Sequence, residues 1–184
     1  MKTILAVTGL PGAGKSMFCE AVQALGYTVF SCGEVVKEET KKRGLPVTAS
    51  NMAMVSLDIK KREGAAGVSK RLMSKIQTSK SEIVAVDGVR SPDEFELFKT
   101  LSKNVIMTAV HAAPKIRFDR IRIRGRQDDT KTLEEFNARD QRELGYGIGN
   151  AISLADKMLL NEEGQDEFLD LANKFLHSII RMVN

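Results

Sequence analysis

Eight residues near the head of the chain, Gly9-Leu10-Pro11-Gly12-Ala13-Gly14-Lys15-Ser16, have the types and spacing to hold phosphate. They satisfy G-x-x-x-x-G-K-[ST], with an apolar run before them and a helical pattern after, the context in which that spacing has chemical meaning. Backbone N–H groups of Gly9, Gly12, Ala13 and Gly14, with those of Ser16 and Met17 opening the helix, would converge on one concavity at the positive end of the helix dipole. Lys15 would then reach the β- and γ-phosphates of a nucleotide, and the Ser16 hydroxyl would face Mg²⁺. The competing reading is a Gly-rich strand-to-helix turn that binds nothing. By itself the loop says only that phosphate binds, not what becomes of it.

Other residues carry the chemistry further. Asp87 closes the apolar run Glu82 to Val86; in a parallel sheet its carboxylate lies on the edge where the phosphate loop also lies, where it can hold Mg²⁺ directly or through water. Arg90, three residues on, would flank the same cleft. Arg117, Arg120 and Arg124 fall within about 60° of one another on a helix, and three guanidinium groups on one stripe repel unless an anion sits among them. At least two of them are therefore expected to contact phosphate, with Arg126 closing over the nucleotide from a lid at 124–132. Glu34 and Lys37 follow the second strand, Glu34 as proton acceptor for a hydroxyl and Lys37 as anchor for an anion. A dipole-favoured surface Glu and a surface Lys explain the pair equally well.

The elements that must position these groups follow from patterning. Residues 2–8 and 82–86 are unbroken apolar runs, the signature of strands buried on both faces, and 27–30, 104–111 and 157–160 complete a set of about five. Helices are expected over 15–25, 34–43, from Pro92 to about Leu101 behind the capping box Ser91-Pro92-Asp93-Glu94, after Pro114, from Thr132 to about Leu144 behind a second capping box, and over 165–183. The spacing over 49–79 predicts two helices broken near Gly64 to Gly67, and Gly145, Gly147 and Gly149 predict a loop. Alternating strands and helices specify an α/β fold, a three-layer α/β/α arrangement around a parallel sheet, with residues 38–80 as a helical excursion for an acceptor.

Composition bounds the rest. With 184 residues, 42% apolar and 28% charged, the chain fits one soluble globular domain spanning 1–184. No apolar run approaches the ~18 residues of a membrane helix, and the apolar start ends too soon in the Gly-rich loop to be an export signal; a cytoplasmic location is expected. Cys19 and Cys32 are expected to be reduced and incidental. Net charge is +4, yet residues 115–126 hold six cations against one carboxylate, so the positive field is focused. That favours a compact anionic ligand over a long nucleic-acid track.

These residues, in this order, resemble the nucleoside-monophosphate-kinase branch of P-loop proteins. Ser31-Cys32-Gly33-Glu34-Val35-Val36-Lys37 looks like the segment that follows the second strand of adenylate kinases, with Lys37 where that family has a phosphate-binding Arg. Asp87-Gly88-Val89-Arg90 is similar to the end of their third strand, and Arg120 with Arg124 or Arg126 matches their lid arginines. The stretch from Arg139 to Gly164 is more similar to dephospho-CoA kinase; that likeness implies Arg139 near the transferred phosphate and Asn161 near the adenine. Over nearly the full length the chain resembles an archaeal adenylate-kinase-related, dephospho-CoA-kinase-like group. The resemblance implies ATP- and Mg²⁺-dependent phosphoryl transfer to dephospho-CoA or a nucleoside monophosphate, with Lys15, Asp87, Arg120, Arg124 and Glu34 catalytic and Lys37, Arg90 and Arg139 on the acceptor. A nucleotide-dependent switch that regulates an RNA or protein partner is the alternative.

Overall fold

The computed structural model describes residues 2–126 and 129–183. Its centre is the strand β1 (Thr3–Thr8), every residue of which is buried. Alternation with a period of two sends Leu5 and Val7 to one side, where they pack with Phe18 and Val22, and Ile4 and Ala6 to the other, where they pack with Val36, Val55 and Ile59. A strand that feeds two cores must be apolar throughout, which is why its sequence shows no alternation.

In chain order β1 is followed by α1 (Lys15–Ala24), β2 (Thr28–Ser31), α2 (Cys32–Lys42), α3 (Ala49–Glu63), α4 (Gly67–Lys70), α5 (Met73–Thr78), β3 (Ile83–Asp87) and α6 (Pro92–Lys99). Then come β4 (Asn104–His111), α7 (Pro114–Arg124), α8 (Leu133–Gly145), α9 (Ile148–Ser153), β5 (Lys157–Leu160) and α10 (Gln165–Val183). The five strands form one sheet in the order β2-β3-β1-β4-β5, all pairs parallel. One face is covered by α1 and α10, through Phe18, Phe168, Ala172 and Leu176. The other is covered by α2 to α6, through Val35, Ile59, Val68, Ile76 and Phe98. This is the expected three-layer α/β/α fold with a parallel sheet of five strands. Among the described residues no helix is long and apolar enough to cross a membrane.

Both expected capping boxes form: the Ser91 and Thr132 side chains accept from the backbone N–H of Glu94 and Glu135, whose carboxylates reach back to the cap backbone. Two expectations need correction. The excursion holds three helices rather than two, because a second break follows at Arg71 and Leu72 after the one at Gly64. And the glycine-rich stretch after α8 is not all loop. Gly147 makes the turn at φ 92°, but Ile148 and Ala151 bury fully enough to carry α9 across Gly149; tertiary burial overrides the low helix propensity of glycine.

Candidate active site

The end of β1 and the end of β3 are fastened together. Val7 sits opposite Asp87 in the ladder, and the Val7 carbonyl accepts from both Gly88 and Val89 N–H at 3.1 Å. The strand order reverses here, and the loop after β1 therefore opens beside Asp87, at the edge where parallel sheets bind ligands. A cavity of about 510 Å³ occupies this edge. Its lining includes Gly9, Gly12, Gly14, Lys15, Ser16, Met17, Asp87, Arg90, Arg120, Arg124, Arg126, Arg139 and Asn161, so thirteen of the residues singled out from sequence meet in one cleft. Ala13 does not line it and is fully buried beneath the loop.

Packing explains the glycines of the loop. A Cβ on Gly12, at φ +83°, would lie 2.7 Å from the Arg117 carbonyl oxygen, because α7 presses on the loop from below. A Cβ on Gly14, at φ +108°, would lie 2.0 Å from Asn161 Nδ2. That amide donates to the Ala13 carbonyl at 2.9 Å, and Asn161 in turn accepts from Arg120 at its backbone oxygen (2.8 Å) and Oδ1 (3.0 Å). Asn161, 1% exposed, is thus a brace for the loop as well as a cleft residue. Lys15 Nζ donates to the Gly9 carbonyl at 2.7 Å. Burial lowers its pKa, opposed by the carboxylates of Asp87 and Glu143.

Arg120 and Arg124 of the arginine stripe line the cleft, but Arg117 departs from the stripe's expected role. Arg117 is 2% exposed. Its guanidinium donates to Asp140 Oδ1 and Oδ2 at 2.9 and 2.6 Å, to the Ala112 and Pro11 carbonyls at 3.1 Å each, and stacks 4.9 Å from the Phe136 ring centroid. It is a buried structural cation, not a phosphate contact. Arg124 is held by Asp129 at 2.8 and 2.6 Å, and Asp129 also lies 3.8 Å from Arg139 and accepts from the Arg126 N–H at 2.9 Å. Carboxylates and carbonyls thus lie between the guanidinium groups of the stripe. Of the expected lid, Gln127 and Asp128 lie outside the described residues.

A second correction concerns Glu34 and Lys37. They pair with each other at 3.1 Å on the surface of α2, with Glu34 62% exposed, and neither lines the cleft. Helix α2 begins at Cys32, and Val35 and Val36 turn inward, which sends Glu34 to solvent. The carboxylate that does enter the cleft is Glu143, 8% exposed, whose Oε2 accepts from Arg90 Nε at 2.6 Å. Arg90 is itself fixed, its backbone N–H donating to Glu94 at 2.6 Å. Asp129, Asp140 and Glu143 escaped the sequence reading because each looks like an ordinary surface residue. Only the position of Glu143, in the last turn of α8 where the dipole disfavours a carboxylate, offered a signal.

Beyond Glu143 lies a second, smaller cavity of about 80 Å³. It shares Gly33, Met52, Arg90, Arg139 and Glu143 with the first and is otherwise walled by α2, α3 and α8.

Fold and site together define a P-loop protein with a three-layer α/β/α fold. A family model described as "AAA domain" matches residues 8–137, and the chain belongs to that family. It is 44% identical over 175 residues to a UPF0200 protein of Hyperthermus butylicus, covering 95% of this chain and 94% of the relative. It is 40% identical over 185 residues to one of Thermococcus gammatolerans, covering 98% and 97%. Among solved structures, the fold is similar to a shikimate kinase from Bacteroides thetaiotaomicron (TM-score 0.63, 15% identity, 97% of this chain and 98% of that one). A gluconokinase from Sinorhizobium meliloti is comparably similar (TM-score 0.60, 14% identity, 97% and 93%).

Proposed function

We propose that the protein is an ATP- and Mg²⁺-dependent small-molecule kinase. The observation that carries this reading is the pair of adjoining cavities with Arg90, Arg139 and Glu143 between them. A nucleotide-driven switch needs the first cavity only; a phosphotransferase needs a second one opening at the γ-phosphate. The kinase names of the two fold relatives favour the same reading, as analogy. The Asp87-Gly88-Val89-Arg90 motif extends it to nucleotide-like acceptors, dephospho-CoA or a nucleoside monophosphate.

Asp87 Oδ1 is buried with no hydrogen-bond partner among the described residues, and a buried carboxylate oxygen left unpaired is costly unless a ligand completes it. With the Ser16 hydroxyl in the same cleft, this fits Mg²⁺, which takes one or two protein oxygens and otherwise phosphate and water. When bound, the ion would neutralise charge on the migrating phosphoryl group. Lys15 would exchange the Gly9 carbonyl for phosphate oxygens, and Arg120, Arg124 and Arg126 would surround the remaining charge. Positioning and charge neutralisation, not covalent chemistry, are what such a site supplies. Closure of the 124–132 segment over the cleft would exclude water.

The test is incubation with Mg·ATP and a panel of acceptors, products being identified by mass spectrometry. ADP should appear in step with one phosphorylated acceptor, and Lys15→Ala should abolish transfer while the circular dichroism spectrum is retained. Undiminished turnover by Lys15→Ala would refute the mechanism. ADP and phosphate alone, whatever is added, would favour the switch.

A further inference from the structure

We infer that the acceptor is a small hydroxyl-bearing anion, lodged in the lesser cavity, and that Glu143 receives the hydroxyl proton. The inference rests on the kinase reading above but departs from its nucleotide-like acceptors, naming in their place a smaller acceptor class and a catalytic carboxylate.

Size comes first. The greater cavity, about 510 Å³, lies in the range of pockets that enclose nucleotide-sized ligands, whereas the lesser, about 80 Å³, is a sixth of it and well below that range. It suits the reacting end of a small acceptor better than a base and a ribose. Chemistry comes second. Ser56, 5% exposed, lines the lesser cavity, and its Oγ is buried with no hydrogen-bond partner among the described residues. A small rotation of that side chain would bring the hydroxyl to a polar group of a ligand in the cavity and satisfy it. Arg142 also lines this space, makes no ion pair with any described residue, and would supply the cation for a carboxylate or phosphate. Met52, Val36 and the Tyr146 ring give an apolar wall for a short carbon frame.

The third point is the junction. Three carboxylates line the two cavities; Glu20 and Asp87 touch only the greater one, and Glu143 alone lines both. Arg90 holds its Oε2 at 2.6 Å, and Oε1 carries no hydrogen bond to a described residue. Arg90 is here a positioning residue, since it orients the carboxylate without touching the acceptor's reacting oxygen. In the transfer, the acceptor oxygen bonds to the γ-phosphorus and the bond from that phosphorus to the β,γ-bridging oxygen breaks. ADP keeps the electron pair, and the acceptor's proton passes to Glu143 Oε1. A nucleoside monophosphate would need no such base, because its attacking oxygen is already anionic.

The experiment offers Mg·ATP with glycerate, gluconate, shikimate and glycerol 3-phosphate, and separately with AMP, CMP and dephospho-CoA. Transfer to at least one of the small compounds is expected. Glu143→Gln should then lower kcat by about 10²- to 10⁴-fold, with affinity for a non-hydrolysable ATP analogue unchanged within about threefold. Ser56→Ala should raise the acceptor KM without lowering the melting temperature, because the hydroxyl it removes stabilises nothing in the free protein; Arg142→Ala should raise KM with kcat nearly kept. These two variants decide the acceptor site even where Glu143→Gln folds poorly, and Glu143→Asp, with kcat lowered more than tenfold while the melting temperature and the analogue affinity are kept, then decides the base. Transfer to nucleotides alone, or a Glu143→Gln loss below about threefold, overturns the inference and leaves the kinase reading standing. Hydrolysis with no transfer to any acceptor overturns both.

Discussion

Asp140 and Arg117 offer the sharpest test of how the phosphate loop is held. The guanidinium is 2% exposed and the carboxylate 14%, and the two share hydrogen bonds of 2.9 and 2.6 Å. Asp140→Ala removes the carboxylate and leaves a buried cation with two neutral carbonyls and the Phe136 ring for company. Breaking a buried pair in this way typically costs about 3–5 kcal/mol, the larger part being the desolvated charge left behind. Arg117→Met takes out the charge but keeps most of the stem's volume. Asp140 can then meet water, and the losses reduce to the carbonyls of Pro11 and Ala112, about 1–3 kcal/mol. The double variant should therefore be more stable than Asp140→Ala alone. For a chain of this size about 1 kcal/mol moves the melting temperature by roughly 2–4 °C, so Asp140→Ala should melt some 6–20 °C below wild type. Urea unfolding with an unchanged slope would give the free energies directly. A cost for Asp140→Ala below about 1 kcal/mol, or no greater than that for Arg117→Met, would refute the view that this arginine is a buried structural cation.

Two further outcomes follow from the loop's brace and from the ion pairs of α2, α3 and Arg71. Gly14→Ala places a Cβ 2.0 Å from Asn161 Nδ2 at φ +108°; beyond a backbone cost of about 1–2 kcal/mol, it should displace the brace and weaken binding of an ATP analogue, whereas unaltered affinity and melting temperature would show that Asn161 does not clamp the loop. Glu39 is held below its usual carboxylate range by Arg43 and Arg71, and Glu63 by Arg71. Folded values below unfolded ones mean stability that is complete above the unfolded value, near 4.5, and lost as pH falls through the folded ones. The melting temperature should thus decline below about pH 4.5, and Arg71→Met should show a lower neutral plateau with a shallower decline; parallel curves for the two proteins would count against this network.

What could be read in the sequence was what local chemistry fixes. The loop from Gly9 to Ser16, the strand end at Asp87 and both capping boxes state their roles within a few residues, and the parallel sheet follows from strands with no polar face. What could not be read depends on contacts between elements far apart in the chain. Arg117 looked like one member of a basic stripe because its partner, Asp140, lies on another helix. Glu34 looked like the hydroxyl's base because it follows β2, but the turn by which α2 buries Val35 and Val36 directs it to water. The α9 helix was invisible because glycine spacing argues for a loop and only burial of Ile148 and Ala151 argues otherwise.

Helix α8 gathers most of what the sequence concealed. Within five residues it presents Arg139 to Asp129 of the segment after α7 at 3.8 Å, Asp140 to Arg117 beneath the phosphate loop at 2.6 Å, and Glu143 to Arg90 beyond β3 at 2.6 Å. These positions fall on neighbouring faces of one helix, so the three partners cannot move independently of its axis. Asp129, 4% exposed, also holds Arg124, and a phosphate drawing Arg124 or Arg139 toward the cleft would release that carboxylate from one of its cations. The same helix reaches Pro11 of the phosphate loop through Asp140 and Arg117, and the lesser cavity through Glu143. Glu143 sits at the helix end where the dipole opposes it, and there, as Arg139 does one turn earlier, it lines both cavities.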